Sequence, residues 1–373
     1  MRLRENWRRL NGPDRIAGID LARGLAIVGM FAAHLIVTAD EFSWSDPGTW
    51  TALVDGRSSI LFAMLAGVSI GIVTGGAAPL IGQRMSIARW RLALRAAALF
   101  VLGILLILTG VPVYVILPAY AILFLLALPF TGMSASSVLW TAGALALVMP
   151  FLQPVLGGLP IWQSPFGPEL DLLIGWHYPF TVWIAFVLAG LGIARSGITR
   201  IIVQIRMLVA GGVLAGIGYG LAELPAPDAS SYWWSVWSAQ PHSSGLLEVI
   251  GSGGFVIAVS AACLLLCRLR AVKAITLALR ATGAMPLTAY TAQLVVWAVI
   301  AAITVGDTTD LIAFRELDPF WPLTIATIVG CTAWALLLGR GPLEWVLDRT
   351  VKRVVSSEPA RDERGRSAAS LEG

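Results

Sequence analysis

The chain has 373 residues, 57% of them hydrophobic and only 13% charged, with a mean hydropathy of +0.79 and a net charge of +4. A soluble domain carries about 25% charged residues, so this composition excludes an ordinary soluble fold and predicts a polytopic integral membrane protein. All 3 cysteines fall inside apolar stretches, two of them one helical turn apart, which excludes a disulfide or zinc framework, and no metal is expected.

A basic cytoplasmic arm, 1–15, precedes the first apolar stretch, which is too long for the core of a cleavable signal and is followed by nine more. Runs able to cross a hydrocarbon core of ~30 Å are predicted at Ile16–Thr38, Ser58–Gly76, Leu92–Gly110, Val113–Phe130, Ser137–Leu156, Tyr178–Ala194, Met207–Leu221, Leu246–Cys267, Ala284–Val305 and Phe320–Gly339. Alternation with period two is absent, and backbone groups in lipid must pair internally, so these are helices. The expected fold is therefore all-α, with about ten transmembrane helices in one bundle over 16–345. A charged cytoplasmic tail, 346–373, follows, and its end from Ser356 onward is too poor in apolar groups to fold.

Orientation follows from the positive charges. Alternate connections carry 24 of the 26 Lys and Arg residues, and only Arg57 and Arg315 fall on the other side. The positive-inside rule makes the basic face cytoplasmic, with both termini there. The acidic residues lean the other way, so the net charge of +4 reflects topology and not nucleic-acid binding. The segment Arg268–Arg280, basic and interleaved with Leu and Ile, is predicted to lie as a short helix on anionic headgroups. On the outer side, Ala39–Arg57, Gly157–His177, Glu223–Gly245 and Gly306–Pro319 are long and rich in Trp, Pro and acid, which predicts a vestibule for a polar ligand over an interfacial aromatic belt.

Gly67-x3-Gly71 and Gly212-x3-Gly216-x3-Gly220 are small-residue ridges expected to pack helices closely. No P-loop, G-x-S-x-G or H-E-x-x-H is present, and Gly190-Leu-Gly192 lacks the context of a dinucleotide site.

What remains is a set of ionisable groups near the span ends. Asp20 and Arg23, at i and i+3 near the cytoplasmic end of the first span, share a face and pair. His34 lies 14 residues further along, a rise of ~21 Å, which brings it to the outer surface. Asp55 and Arg57 open the second span at that same surface, so a histidine, a carboxylate and a guanidinium meet there. Imidazole, with an ordinary pKa of about 6.5, is a competent general base, and a neighbouring carboxylate fixes its tautomer. The topology puts the other two histidines, His177 and His242, on the same face. On the basic face, Arg84, Arg89, Arg91 and Arg95 cluster near Arg23. Thr288, Tyr290 and Gln293 begin the ninth span with Pro286 in its first turn, and their polarity turns them toward the bundle interior. Glu344, beside Arg340 and Arg349, reads as a salt-bridged helix-end residue.

The string Arg15-Ile-Ala-Gly-Ile-Asp20-Leu-Ala-Arg23-Gly24, running on to His34, resembles the opening of the YeiB-like membrane proteins. These are related to heparan-alpha-glucosaminide N-acetyltransferase, within a superfamily of transmembrane acyltransferases. The likeness continues through Asp55-Gly56-Arg57-Ser58-Ser59, then Gly283-Ala-Met285-Pro286-Leu-Thr288-Ala-Tyr290-Thr-Ala-Gln293, and ends in Gly341-Pro342-Leu343-Glu344-Trp345, covering nearly the whole chain. The resemblance implies a membrane acyltransferase of the plasma membrane that moves an acetyl group from cytosolic acetyl-CoA to a sugar or other polar acceptor outside. His34, Asp55 and Arg57 would be catalytic, while Asp20, Arg23, Thr288, Tyr290 and Gln293 would bind the donor, with the arginine cluster on its phosphates. His177 and His242 would bind acceptor. In the eukaryotic glucosaminide enzymes asparagine stands in place of His34 and the catalytic histidine lies in the next loop. Here Ala39–Arg57 has no histidine, so His34 is the nearest substitute and His177 or His242 the alternatives.

The expected partners are membrane lipids, an extracytoplasmic glycan or small-molecule acceptor, and a second copy in a homo-oligomer. A transporter or flippase for a polar or lipid-linked solute is the rival reading. Transporters bind near the midplane with broken helices, whereas this chain keeps its charges near the ends of its spans.

Overall fold

In a computed structural model describing residues 2–12, 15–39, 42, 45–225, 227–228 and 230–355, the chain is helical, without strands among those residues. The helices are α1 (Arg2–Asn11), α2 (Ala17–Leu35), α3 (Arg57–Val73), α4 (Gly82–Ile107), α5 (Leu117–Ala127), α6 (Ala135–Gly157), α7 (Gly167–Ile174), α8 (Phe180–Arg195) and α9 (Ile201–Ala222). They continue as α10 (Tyr232–Trp237), α11 (Leu246–Leu266), α12 (Arg270–Ile275), α13 (Leu277–Gly283), α14 (Pro286–Thr304), α15 (Leu311–Arg315), α16 (Phe320–Leu337) and α17 (Pro342–Val354). The tail expected from Ser356 onward, and Asp40 and Glu41 of the first outer loop, lie outside the described residues.

Eight of these helices are long and apolar enough to cross a membrane. The two other expected spans form shorter apolar helices, α5 with its 3-10 continuation to Gly132, and α8. At 16 residues α8 rises about 24 Å, short of a hydrocarbon core. It need not match one, because α3, α5 and α6 surround it and every residue from Val182 to Arg195 except Ala189 is buried. The surface open to the bilayer is supplied largely by α4, α6, α9, α14 and α16, which expose large apolar residues, Trp140, Val209, Val299 and Val329 among them.

Small residues set the closest contact. A Cβ on Gly67 of α3 would strike the Val187 backbone of α8, and one on Gly190 would strike that of Met64, so the expected Gly67-x3-Gly71 ridge does pack. The second expected ridge is not a packing face. Gly212, Gly216 and Gly220 of α9 face open space, whereas Gly211 and Gly218 meet Gly254 and Gly251 of α11. Glycines three or four apart mark a face, but in a helix rich in glycine they do not say which face meets protein.

Successive spans run between two ends. At one end lie the start of α2, the end of α3, the starts of α4 and α14 and the end of α16, joined by basic side chains. Asn6 of α1 donates to Leu336 O of α16 at 3.0 Å, and Arg280 donates to Leu10 O at 2.8 Å, so the basic arm folds against the bundle. The segment Arg268–Arg280 divides. α12 is exposed, but Arg280 to Gly283 at the end of α13 are buried against α2 and α16 rather than lying on headgroups. Helix α17 runs across the expected boundary at 345.

Arg195, 3% exposed, closes the end of α3. Its guanidinium donates to the carbonyls of Gly71, Gly76, Thr74 and Thr131 and to the Thr74 hydroxyl. Those carbonyls are the orphans left where a helix stops, and a planar fork with five donors reaches several at once. Arg195→Ala is expected to lower stability by about 2–4 kcal/mol, read as a fall in melting temperature in detergent. Arg195→Lys should recover only part of the loss, and an unchanged melting point in the alanine variant would refute this role.

Candidate active site

At the other end, four loops bring together residues far apart in sequence. His177, just before α8, stacks on Tyr114 with ring centroids 3.8 Å apart and 5° between planes. His242, in the loop before α11, has its ring centroid 4.8 Å from that of His177. Its Nε2 is 3.5 Å from Asp55 Oδ1. Tyr178 packs edge-on to both imidazoles, at 5.0 Å from His177 and 5.6 Å from His242. His34, at the end of α2, lies within electrostatic range of His242, Asp55 and Arg315. The expected convergence of the histidines on one face is therefore present, but the histidine that meets Asp55 is His242 and not His34.

Glu248 positions His242. It sits 3% exposed in the first turn of α11 and its carboxylate accepts from the backbone N–H of His242 at 2.7 Å, that of Ser244 at 2.6 Å, and the Ser243 hydroxyl at 3.2 Å. His242 and Ser244 have φ of 62° and 55°, left-handed conformations uncommon for non-glycine residues. The buried carboxylate supplies the acceptors that hold this turn. An ionised Asp55 can only accept, so its position favours the tautomer with hydrogen on Nε2 of a neutral His242 ring and the lone pair on Nδ1. That Nδ1 is buried with no hydrogen-bond partner among the described residues, as is Nδ1 of His34.

Arg57 does not pair with Asp55 side chain to side chain. Its Nε donates to the Tyr219 hydroxyl at 2.6 Å and its second nitrogen to Ala52 O at 2.7 Å, and Tyr219 in turn bonds Ser252 at 3.0 Å. Arg315 donates to His34 O through two nitrogens, at 2.8 and 3.2 Å. The two basic residues of this end thus close loops and a helix terminus.

From the basic end a cavity of about 310 Å³ enters the bundle. Arg23, Arg95, Glu344 and Asp348 stand among its lining residues, with Phe62, Leu65, Tyr120 and Tyr290 forming apolar walls. Asp20 is held chiefly by Arg15, through two bonds of 2.8 and 2.9 Å, while Arg23 reaches it only at 3.5 Å and gives a 2.6 Å bond to Ser69. Arg95 pairs with Asp348 at 3.2 Å, whereas Arg89 and Arg91 turn to Thr131 and Val355 O. Of the expected phosphate cluster, only Arg95 joins Arg23 at this cavity.

Tyr290 lines the cavity, and its hydroxyl accepts from Ile116 N at 3.4 Å. Thr288 does not reach it, because its hydroxyl and N–H are taken by Glu344 at 2.5 and 3.1 Å. Glu344 is accordingly not the salt-bridged residue expected from its neighbours. It caps the start of α14, where free N–H groups need an acceptor, and Arg340 pairs with Asp348 at 3.0 Å instead. Gln293 is 1% exposed with neither amide atom paired among the described residues.

Ser59 joins cavity to cluster. Its carbonyl accepts from Tyr120 at 3.2 Å, its side chain lies against the Tyr178 hydroxyl, and Tyr178 abuts both histidines. Sequence reasoning missed Glu248 and the three tyrosines Tyr114, Tyr120 and Tyr178. Glu248 had a signal, a glutamate three residues after the cap at Gly245, whereas the tyrosines resemble any aromatic near a membrane interface.

The fold and site define a multi-pass helical membrane protein with a cavity at its basic end and a histidine–carboxylate pair at the other, linked by side-chain contacts. Residues 15–219 match the family described as heparan-alpha-glucosaminide N-acetyltransferase, catalytic, over more than half of the chain. The protein belongs to that family. Residues 193–353 match a second family, described as protein of unknown function (DUF418), which is YeiB-like. No curated protein matches the chain.

Burial, reinforced by the adjacent His242, pulls the His177 imidazole down from 6.5 to about 4. The unfolded chain then binds the proton more readily than the folded one, so the stability contributed by neutral His177 is intact above about 6.5 and lost as pH falls toward about 4. Wild-type protein is expected to melt at a lower temperature at pH 5 than at pH 7.5, and His177→Phe, which keeps a ring on Tyr114, should flatten that dependence. Equal pH dependence in the two proteins would remove His177 as its source.

Proposed function

We propose that this protein moves an acetyl group from acetyl-CoA on the cytosolic side to a hydroxyl or amine of a sugar or other polar acceptor on the opposite side. The orientation rests on the 24 of 26 basic residues assigned to one face. The observation that carries the reading is the continuity from Arg23 and Arg95 at the cavity mouth, along Tyr120, Ser59 and Tyr178, to His242 and Asp55. An apolar cavity with cations at its mouth suits a pantetheine arm attached to phosphates. When bound, acetyl-CoA supplies an activated thioester.

The chain's residues divide the work. His242 Nδ1 takes the proton from the acceptor as the acceptor's oxygen or nitrogen bonds to the thioester carbonyl carbon. The carbon–sulfur bond breaks, sulfur leaves with the electron pair, and His242 returns the proton to it. Asp55 holds the ring with hydrogen on Nε2 and stabilises the imidazolium, as a buried carboxylate does for a catalytic histidine elsewhere. Glu248 fixes the turn that carries His242. His177 packs against His242, and His34, with its own unpaired Nδ1, is the second candidate for the base.

Acetyl transfer by purified protein to envelope glycans tests this reading. His242→Ala is expected to lose about a hundredfold or more in kcat, the range of a general base, with CoA binding retained, and Asp55→Asn should lose a comparable amount. Full turnover in His242→Ala would pass the role to His34, and wild-type protein that neither binds CoA nor transfers acetyl groups would exclude the acetyltransferase reading.

A further inference from the structure

The mouth of the cavity opens beside a second hollow of about 550 Å³, lined by Arg340, Trp345, Asp348, Arg349, Lys352 and Arg353. All six come from α17 and the residue-pair step before it, and Asp348 lines both hollows. Four cations and one carboxylate make a strongly positive basin. That carboxylate is shared three ways, with Lys352 at 2.8 Å, Arg340 at 3.0 Å and Arg95 at 3.2 Å. Burial pushes the Asp348 carboxyl up, but Lys352, Arg95 and Arg340 outweigh it and hold it below the usual carboxylate range. Trp345 is half exposed, with the Arg349 guanidinium 5.1 Å above its ring.

We infer that α17 forms a phosphate-binding half-site for the nucleotide end of a coenzyme-A-type donor, and that Asp348 is its resident counter-anion, holding Arg95, Arg340 and Lys352 until phosphates replace it. The inference rests on the proposed reading of the cavity as the pocket of the donor's acyl arm. An acyl-CoA has a long uncharged arm ending in a diphosphate and a ribose phosphate beside a purine. The narrow cavity suits the arm, and the adjoining basin suits the phosphates, with Trp345 and Arg349 offering faces for the purine to stack on. An anionic lipid headgroup presents the same phosphate chemistry, but it has no arm to enter the bundle and no base to stack. Asp348 also offsets part of the repulsion among the cations that converge on it in the free protein.

A carboxylate that is only a brace and one that stands in for a ligand phosphate predict opposite results. CoA and acetyl-pantetheine are each titrated into full-length protein in nanodiscs of neutral lipid. The double variant Arg340→Ala/Lys352→Ala should bind CoA about tenfold or more weakly, with acetyl-pantetheine binding unchanged. Asp348→Asn should bind CoA several-fold more tightly, because it frees three cations. Weaker CoA binding by Asp348→Asn, at an unchanged melting temperature, would make Asp348 a brace and overturn the placeholder role. Wild-type binding of CoA matched by the double variant would overturn the half-site alone, whereas wild-type protein binding neither probe would sink the reading of the cavity itself. Nanodiscs containing anionic lipid provide the last arm: loss of wild-type CoA binding there would assign the basin to headgroups, and retained binding supports the nucleotide.

Discussion

Helices that stop inside a membrane bundle leave backbone groups that lipid cannot satisfy, and this requirement organises the charged residues of the protein. Arg195 gathers the carbonyls at the end of α3, Arg315 takes the last carbonyl region of α2 through His34 O, and Glu344 receives the N–H groups that open α14. Glu248 does the same for the turn ahead of α11. Each is a charged side chain aimed at backbone dipoles, an arrangement strong enough to offset burial because several hydrogen bonds share one charge. The same caps hold the helix ends that border the cavity and the loops that carry the histidine cluster.

The same requirement separates structural charges from those free for chemistry. Arg57, Arg315, Arg195, Glu248 and Glu344 are engaged by backbone or by tyrosine. His242, beside Asp55, keeps an unpaired ring nitrogen, while Arg23 and Arg95, bonded to the side chains of Ser69 and Asp348, line the cavity. Burial and charge alone would rank Arg195 and Glu248 above His242 as candidates. Hydrogen-bond partners reverse that order, since a guanidinium or carboxylate already shared among several backbone groups has less to offer a substrate than an imidazole beside an unpaired ring nitrogen.

The bundle itself was legible in the sequence because hydropathy over 20 residues reports the lipid environment directly. The same signal fails for α8, which is short because protein and not lipid surrounds it, and for Gly212, Gly216 and Gly220, whose spacing fits packing although their face is open. The site was half legible. Charge topology sorted the three histidines to one end, yet the pairing of Asp55 with His242 joins the second span to a loop before the eighth, and no local pattern encodes such a contact. Linear proximity favoured His34, only 21 residues before Asp55. For Glu344, proximity to Arg340 suggested an ion pair, but the unsatisfied N–H groups of a helix one bundle layer away made the stronger claim.

On the proposed reading, the distance between the two ends has a physical purpose. A nucleotide with several phosphate charges cannot enter hydrocarbon, since an unpaired ion there costs tens of kcal/mol in the Born limit and several even after relaxation (roughly, from). An acetyl thioester at the tip of an uncharged arm carries no such penalty. A bundle that holds cations at one end, lines its interior with Phe62, Leu65 and Tyr120, and sets Tyr178 between that interior and His242 needs to pass only the uncharged part of the donor inward. The charged groups of donor and acceptor each stay at their own water-facing end, and the uncharged group alone makes the crossing. No large rearrangement of the helices is then required, which agrees with an interior fixed by glycine contacts between α3 and α8 and by guanidinium and carboxylate caps at the helix ends.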